Sequence, residues 1–334
     1  MPLTRRNFGK LAAVASVATA LRPSALFAQA KPNSRFGGVQ IGVITPYSYH
    51  NMPNDAESLL KFMVADNINT TEIQAPPVEE WAGAPKSLQM GPRPAGPIVG
   101  QQVGAERQRP QLTPEQVAAQ KAHLAEMTKW RLSAPMSKFE ALRKMYNDAG
   151  VSIYGFKLGL TLESPDAEFD YAFNVCKALG ANQLTMEMPD GNTALTKKIG
   201  DFASKHKIWV GYHAHLQATP ATWDEAMSQS PYNGINLDVG HYTAAGNHDQ
   251  LDFIRKNHTR ITSMHLKDRK YPENGGQNMP WGQGDTPIKE ALQLMKKEGY
   301  KFPATIELEY PVPAGSDSEK EIVRCLAYAK AALA

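Results

Sequence analysis

Ile235-Asn236-Leu237-Asp238-Val239-Gly240-His241-Tyr242 runs from apolar residues into a carboxylate, a glycine and a histidine. The pattern reads as the last residues of a buried parallel strand, with Asp238 at its carboxyl end and His241 on the loop beyond. In (β/α)8 barrels that end of each strand carries the chemistry. Asp-x-x-His alone is a weak signal, because helix caps and surface turns use the same letters. Its weight comes from three further strand-like runs with polar ends: Val210-Gly211-Tyr212-His213-Ala214-His215, Ile261-Thr262-Ser263-Met264-His265-Leu266-Lys267-Asp268 and Ala304-Thr305-Ile306-Glu307-Leu308-Glu309.

Outward from these runs, strand-like and helix-like patterns alternate, which argues for parallel βαβ units. Strands are expected at 39–45, 69–73, 151–157, 183–187, 208–213, 235–238, 261–266 and 304–309. Helices are expected at 55–66, 114–128, 136–149, 167–179, 193–205, 220–229, 251–257, 287–298 and 318–333. Eight strands interleaved with helices predict one α/β domain, a (β/α)8 TIM barrel, over residues 31–334. That length suits a fold that typically takes ~250 residues plus insertions. Tyr47, Tyr49 and His50 fall on the loop after the first strand. The segment 76–114 is rich in Pro, Gly and Gln with little apolar periodicity, and is expected as a loop excursion that shapes substrate access or a homo-oligomer contact.

Residues 1–30 read as an export signal outside the fold. Thr4-Arg5-Arg6-Asn7-Phe8-Gly9-Lys10 matches the twin-arginine pattern, a mildly apolar run spans 11–21, and Ala28-Gln29-Ala30 offers a cleavage site after Ala30. The expectation is a periplasmic protein carried by the twin-arginine translocase and not stably inserted in the membrane, since no stretch approaches the ~20 apolar residues of a spanning helix. The leader holds four basic residues and no acid, so its removal takes the formal net charge from +3 to −1. The basic balance belongs to the leader, and nothing remains to suggest a nucleic-acid partner. Cys176 and Cys325 are the only cysteines, each in a helical pattern, and are expected in the core rather than in a disulfide framework.

Residues two apart on a strand share a face. Asn236 and Asp238, His213 and His215, His265 and Lys267, and Glu307 and Glu309 therefore pair up beside the carboxyl ends of the last four strands, and the fourth strand adds Glu187. A closed barrel would gather them into one cup. Like charges buried that close are costly unless a cation neutralises them. A mixed His/Asp/Glu set suits one divalent Mn, Zn, Co or Fe ion better than Ca. A lone strand histidine is more often a hydrogen-bonded core residue, and Glu307 or Glu309 could simply pair with Lys267. Polar groups at four successive strand ends are harder to explain that way, since a barrel core prefers branched aliphatics.

In their order along the chain, His213-Ala214-His215, Asn236-Leu237-Asp238-Val239-Gly240-His241, His265-Leu266-Lys267-Asp268-Arg269 and Ile306-Glu307-Leu308-Glu309-Tyr310 resemble the sugar phosphate isomerase/epimerase superfamily, the xylose isomerase-like barrels. The resemblance covers essentially all of residues 31–334. It implies one metal held by a Glu, an Asp, a His and a Glu from strands five to eight, the last three matching Asp238, His265 and Glu307. It also implies that His241 faces the substrate. The strand-five position departs from the pattern, offering His213 in place of Glu, with Glu187 on strand four as the other candidate for the missing ligand. The metal candidates are thus Glu187, Asp238, His265 and Glu307. His213, His215, Glu307 and Lys267 are the proton-transfer candidates, and His241, Glu309 and His50 the substrate contacts.

Such a site would polarise the carbonyl of a keto-sugar and make the adjacent C–H acidic. A carboxylate or imidazole then removes the proton. Return of the proton elsewhere gives isomerisation or epimerisation, and expulsion of a β-substituent gives a lyase or dehydratase acting on a keto-glycoside or inositol. The expected function is a metal-dependent sugar isomerase/epimerase, with the lyase as alternative. A periplasmic sugar-binding protein would need fewer buried ionisable groups. A nuclease would need further ligands that the chain does not offer.

Overall fold

In the computed structural model, residues 31–86, 113–189 and 191–334 are described, so the export signal at 1–30 and most of the expected excursion lie outside the described residues. Eight runs of alternating character form the barrel strands: β1 (Val39–Thr45), β2 (Thr70–Gln74), β3 (Ser152–Lys157), β4 (Gln183–Glu187), β5 (Trp209–His213), β6 (Asn233–Asp238), β7 (Ile261–Leu266) and β8 (Ala304–Ile306). Each pairs in parallel with the next, and β8 pairs with both β7 and β1, which closes the ring. The expected α/β barrel is the observed fold.

Alternation along the strands separates two layers. Leu184, Met186, Val210, Tyr212, Ile235, Leu237, Met264, Leu266 and Ile306 are buried in the apolar core. Each such side chain contributes about 1.5–3 kcal/mol by leaving water. Their strand neighbours point into the lumen, where buried polar side chains replace much of the aliphatic filling expected of a barrel. Gln183 Nε2 donates to Ser263 Oγ at 2.8 Å, Asn236 Nδ2 donates to Glu72 Oε2 at 2.9 Å, and Tyr154 bonds Thr305. These bonds join strands that are not neighbours in the sheet, so they cross the lumen.

The helices are α1 (Ala56–Ala65), α2 (Ala75–Ala82), α3 (Pro114–Arg131), α4 (Met136–Asp148), α5 (Asp166–Leu179), α6 (Thr193–His206), α7 (Asp224–Gln229), α8 (Val239–Ala244), α9 (Gln250–Asn257), α10 (Ile288–Glu298) and α11 (Ser318–Ala332). Two of them correct the expected loops. The excursion expected from Pro76 begins with α2, because Pro76 and Pro77 sit in its first turn, where their missing N–H groups cost nothing. His241 lies on α8 and not on a loop, because the Asp238 side chain caps that helix by accepting from the His241 N–H at 2.7 Å. Helix α3 opens on a capping box between Thr113 and Gln116 and runs to Arg131, past its expected end at 128.

Two antiparallel pairings have no counterpart in the expected strand set. Residues Arg35–Phe36 fold back on the start of β1. Asp268–Arg269 pairs with Asn278–Met279 in the loop after β7. Both cysteines are buried and free, as expected. No helix among the described residues is long and apolar enough to cross a membrane.

Candidate active site

At the carboxyl ends of β5 to β8, ligand atoms of His213, Asp238, His265 and Glu307 lie within 4.8 Å of one another, and all four residues are buried. Each is delivered by its strand: His213 and Asp238 are terminal residues of β5 and β6, His265 is inside β7, and Glu307 follows β8. Each of the four also keeps one buried atom without a hydrogen-bond partner: His213 Nδ1, Asp238 Oδ2, His265 Nδ1 and Glu307 Oε2. Buried polar atoms are rarely left so. Two imidazoles and two carboxylates with free lone pairs fit a divalent transition ion.

The Lys267 ammonium lies beside the same cluster. Its Nζ is 3.0 Å from Asp238 Oδ2, 3.2 Å from Glu307 Oε2 and 2.8 Å from Glu309 Oε2. The first two contacts are close in distance but lack hydrogen-bond geometry, whereas Lys267 does donate to Glu309. Burial opposes the charge on Lys267, but Asp238, Glu307 and Glu309 outweigh it and hold the ammonium well above the usual lysine range. Burial likewise opposes charge on Glu307, which Lys267 and His265 nonetheless keep ionised well below the usual carboxylate range. Asp238 is pushed up by burial to about 6. For His265, burial is outweighed by Glu72 and Glu307, which raise it to about 10.

Gly240 explains why the α8 turn needs a glycine. A Cβ there would come within 2.3 Å of Lys267 Cγ and 2.5 Å of the Lys267 carbonyl oxygen, so only glycine lets α8 lie against the lysine. Asp268 serves the loop and not the cup. Its carboxylate accepts from the backbone N–H groups of Gly282, Gln283, Gly284 and Thr286 at 2.8, 3.2, 2.9 and 3.2 Å.

His241 is held by two cationic side chains. Arg269 NH1 lies 2.8 Å from its Nδ1, and Lys267 Nζ lies 2.9 Å from its Nε2. Burial, then the charge of Lys267, keep the ring neutral well below the usual histidine range. Arginine and the lysine ammonium can only donate, and a neutral imidazole has one lone-pair nitrogen, so the ring accepts from one of the two.

Glu187, the expected ligand on strand four, is not one of the four. Its side chain is 55% exposed and forms ion pairs with Lys157 at 2.7 Å and with His215 Nε2 at 3.0 Å. Strand β4 ends at this residue, alongside His213 of β5, and the side chain turns to the mouth. His213 occupies the fourth position in its place. His215 lies just past the end of β5 at the rim, its ring 4.9 Å from that of His213 and stacked on His241 at 4.6 Å, so the three imidazoles form a second close group of ligand atoms. Burial opposes charge on His215, yet Glu187 raises it above the usual histidine range.

Glu309 joins the cup through Lys267 and accepts from Tyr47 OH at 2.6 Å. His50 sits at the rim with Nε2 2.6 Å from the Leu308 carbonyl oxygen, so its ring braces the segment after β8. Sequence reasoning gave no role to Glu72, Tyr47, Lys157 or Arg269. A carboxylate in the middle of the strand Thr70-Thr71-Glu72-Ile73 is the one local sign that Glu72 faces a polar interior.

The fold has solved counterparts. The chain is similar to a probable 3-DHS dehydratase of petrobactin synthesis from Bacillus anthracis (12% identity, 86% of this chain and 98% of that one, TM-score 0.57). It is similar to the 3-keto-D-glucoside 4-epimerase of E. coli (10% identity, 88% and 99%, TM-score 0.53). It also resembles the D-allulose 3-epimerase of Methylomonas sp. (14% identity, 91% and 99%, TM-score 0.54). At these identities the likeness shows a shared fold. No curated protein sequence matches the chain. The model of one family does match, over residues 117–329, and the chain belongs to that family, the xylose isomerase-like TIM barrels.

Proposed function

We propose that this chain is a metal-dependent enzyme of the sugar isomerase/epimerase type, acting on a keto-sugar by moving a proton next to its carbonyl. The observation that carries the reading is the convergence of four buried ligand atoms that make no hydrogen bond, on His213, Asp238, His265 and Glu307. The similar structures include two epimerases and a dehydratase, which supports the same class. A divalent ion held there supplies Lewis acidity toward a carbonyl and its neighbouring hydroxyl. Lys267 donates to the substrate oxygen on which negative charge develops, and His241, held between Lys267 and Arg269, lines that side of the cup. His215, oriented by Glu187, is the proton-transfer group at the mouth. Glu309, held by Tyr47 and Lys267, offers a carboxylate for a substrate hydroxyl.

One observation favours the lyase alternative. The strand-five carboxylate that the resemblance implies is replaced by His213, which leaves Glu307 without a second carboxylate across the cluster from it. Elimination from a keto-glycoside needs one base beside the carbonyl and an acid near the leaving group, a division that Glu307 and the rim histidine His215 suit.

The test is incubation of metal-loaded protein with keto-sugars and 3-keto-glycosides in D₂O. Deuterium is expected beside the carbonyl, and its uptake is lost in His215→Asn while bound metal is kept. Absence of exchange with every member of the panel would sink the proposal. Export through the twin-arginine route to the periplasm is part of the same reading and rests on Arg5 and Arg6. Replacing both by lysine should strand the precursor in the cytoplasm, and normal export of that variant would contradict it.

A further inference from the structure

The lumen holds a carboxylate that none of the roles above uses. Glu72, in the middle of β2, is fully buried. Its Oε2 lies 3.1 Å from His265 Nε2 and accepts from Asn236 Nδ2 at 2.9 Å, while Oε1 has no partner, and Asn236 Nδ2 itself lies 3.1 Å from His265 Nε2. Tyr154 OH approaches Oε2 at 3.5 Å. His265 is its one ion-pair partner among the described residues.

A carboxylate accepts and an amide nitrogen donates. The Asn236 amide donates to Glu72 at its shorter contact, so the bond between Glu72 and His265 places a proton on Nε2. In the neutral ring that leaves the lone pair on Nδ1, the nitrogen that makes no hydrogen bond and lies 3.0 Å from Glu307 Oε2. His265 thus has one nitrogen turned to a carboxylate deep in the lumen and the other turned to the cluster. This is the arrangement in which an outer carboxylate fixes the tautomer and orientation of a metal-bound imidazole and raises its basicity.

We propose that Glu72 is a positioning residue of the metal centre, holding His265 as the Nε2–H tautomer so that Nδ1 is the ligand atom. The inference rests on the metal reading given above. A purely structural role would tie β2 to β6 and β7 across the lumen and affect folding alone. Such a tie does not call for a buried carboxylate with one oxygen unpartnered, because such a charge costs stability unless it has a partner to serve.

The test compares wild type with Glu72→Gln, which keeps the side chain's volume. Zinc and cobalt affinities are measured by chelator competition, and the visible spectrum of the cobalt-loaded protein is recorded. The metal-free proteins are compared in urea. Affinity is expected to fall about 10–100-fold in Glu72→Gln. The cobalt spectrum should shift, and the metal-free variant should unfold at the same or higher urea concentration. Affinity within about threefold of wild type, with an unchanged cobalt spectrum, overturns the role. A second measurement does not depend on the variant folding. In zinc-loaded wild type, nitrogen NMR should show His265 bound through Nδ1 with Nε2 protonated, and binding through Nε2 overturns the inference. Wild type that takes up no metal at all removes the metal reading itself, and this inference with it.

Discussion

Strands β5 to β8 supply all four residues of the candidate metal cluster, whereas β1 to β4 supply none of them. The second half of the barrel concentrates charge at its mouth: Asp238, Glu307 and Glu309 around the single ammonium of Lys267. The first half contributes groups that reach across to hold that charge in place. Glu72 of β2 meets His265, Tyr47 after β1 meets Glu309, and the Lys157–Glu187 pair brings His215 into position. One half therefore provides the reacting groups, and the other fixes their tautomers and directions. Orientation by such partners separates a site that merely contains the right residues from one that works.

The largest expected effect tests whether Lys267 is what makes the second half tolerable. Lys267→Met removes the ammonium and leaves three carboxylates facing one another in a buried cup. Breaking a buried ion pair by deleting one partner costs about 3–5 kcal/mol. Metal-free Lys267→Met should lose that much in urea unfolding, and added Zn or Mn should restore part of it by replacing the missing positive charge. Equal stability of the two metal-free proteins would show that the carboxylates are neutral there and that the lysine balances nothing.

The next effect sharpens the boundary between the halves, which runs between Glu187 on β4 and His213 on β5. The geometry assigns the fourth ligand to His213, so His213→Asn should weaken metal binding by more than the ~10–100-fold of a lost outer partner. Glu187→Gln should leave metal binding nearly unchanged. It should instead slow deuterium exchange, because His215 loses the carboxylate that directs its ring. Loss of metal in Glu187→Gln with retention in His213→Asn would exchange the two assignments and move the ligand set into the first half.

How much of this was legible in the sequence follows the same division. The order of motifs from His213 to Glu309 gave the fold and three of the four clustered residues, because each lies at or just past a strand end and strand ends have a local signature. The fourth was open between His213 and Glu187, since periodicity cannot say whether a terminal side chain turns inward or to the rim. Glu72 was out of reach for a different reason. Its partner His265 is 193 residues away, and only closure of the ring brings them together. Helix α8 escaped because the Asp238-to-His241 turn looks the same as a loop until the aspartate is seen to cap it. Pro76 and Pro77 misled because proline marks a break inside a helix but a favourable start at its first turn.

The smallest effect concerns a carboxylate of the first half that has no cation. Asp66, just after α1, is buried, and it accepts from Tyr49 OH at 2.8 Å. No ion pair reaches it among the described residues, and the acidic residues acting on it from the α11 end are Glu319 and Asp317. Burial, chiefly, raises its pKa to about 7, the reverse of Glu307 beside Lys267. An aspartate in the unfolded chain titrates near ~3.9. Because the folded value is the higher one, the fold favours the protonated acid. That contribution is fully present below pH ~4 and is lost as pH rises through about 7. Asp66→Asn keeps a neutral group of the same shape at every pH. Its stability relative to wild type should therefore rise between pH 4 and pH 8 by on the order of 1–2 kcal/mol. Urea unfolding at the two pH values reads this directly. A difference that is flat with pH, or that falls, would mean Asp66 is ionised in the fold and compensated as Glu307 is.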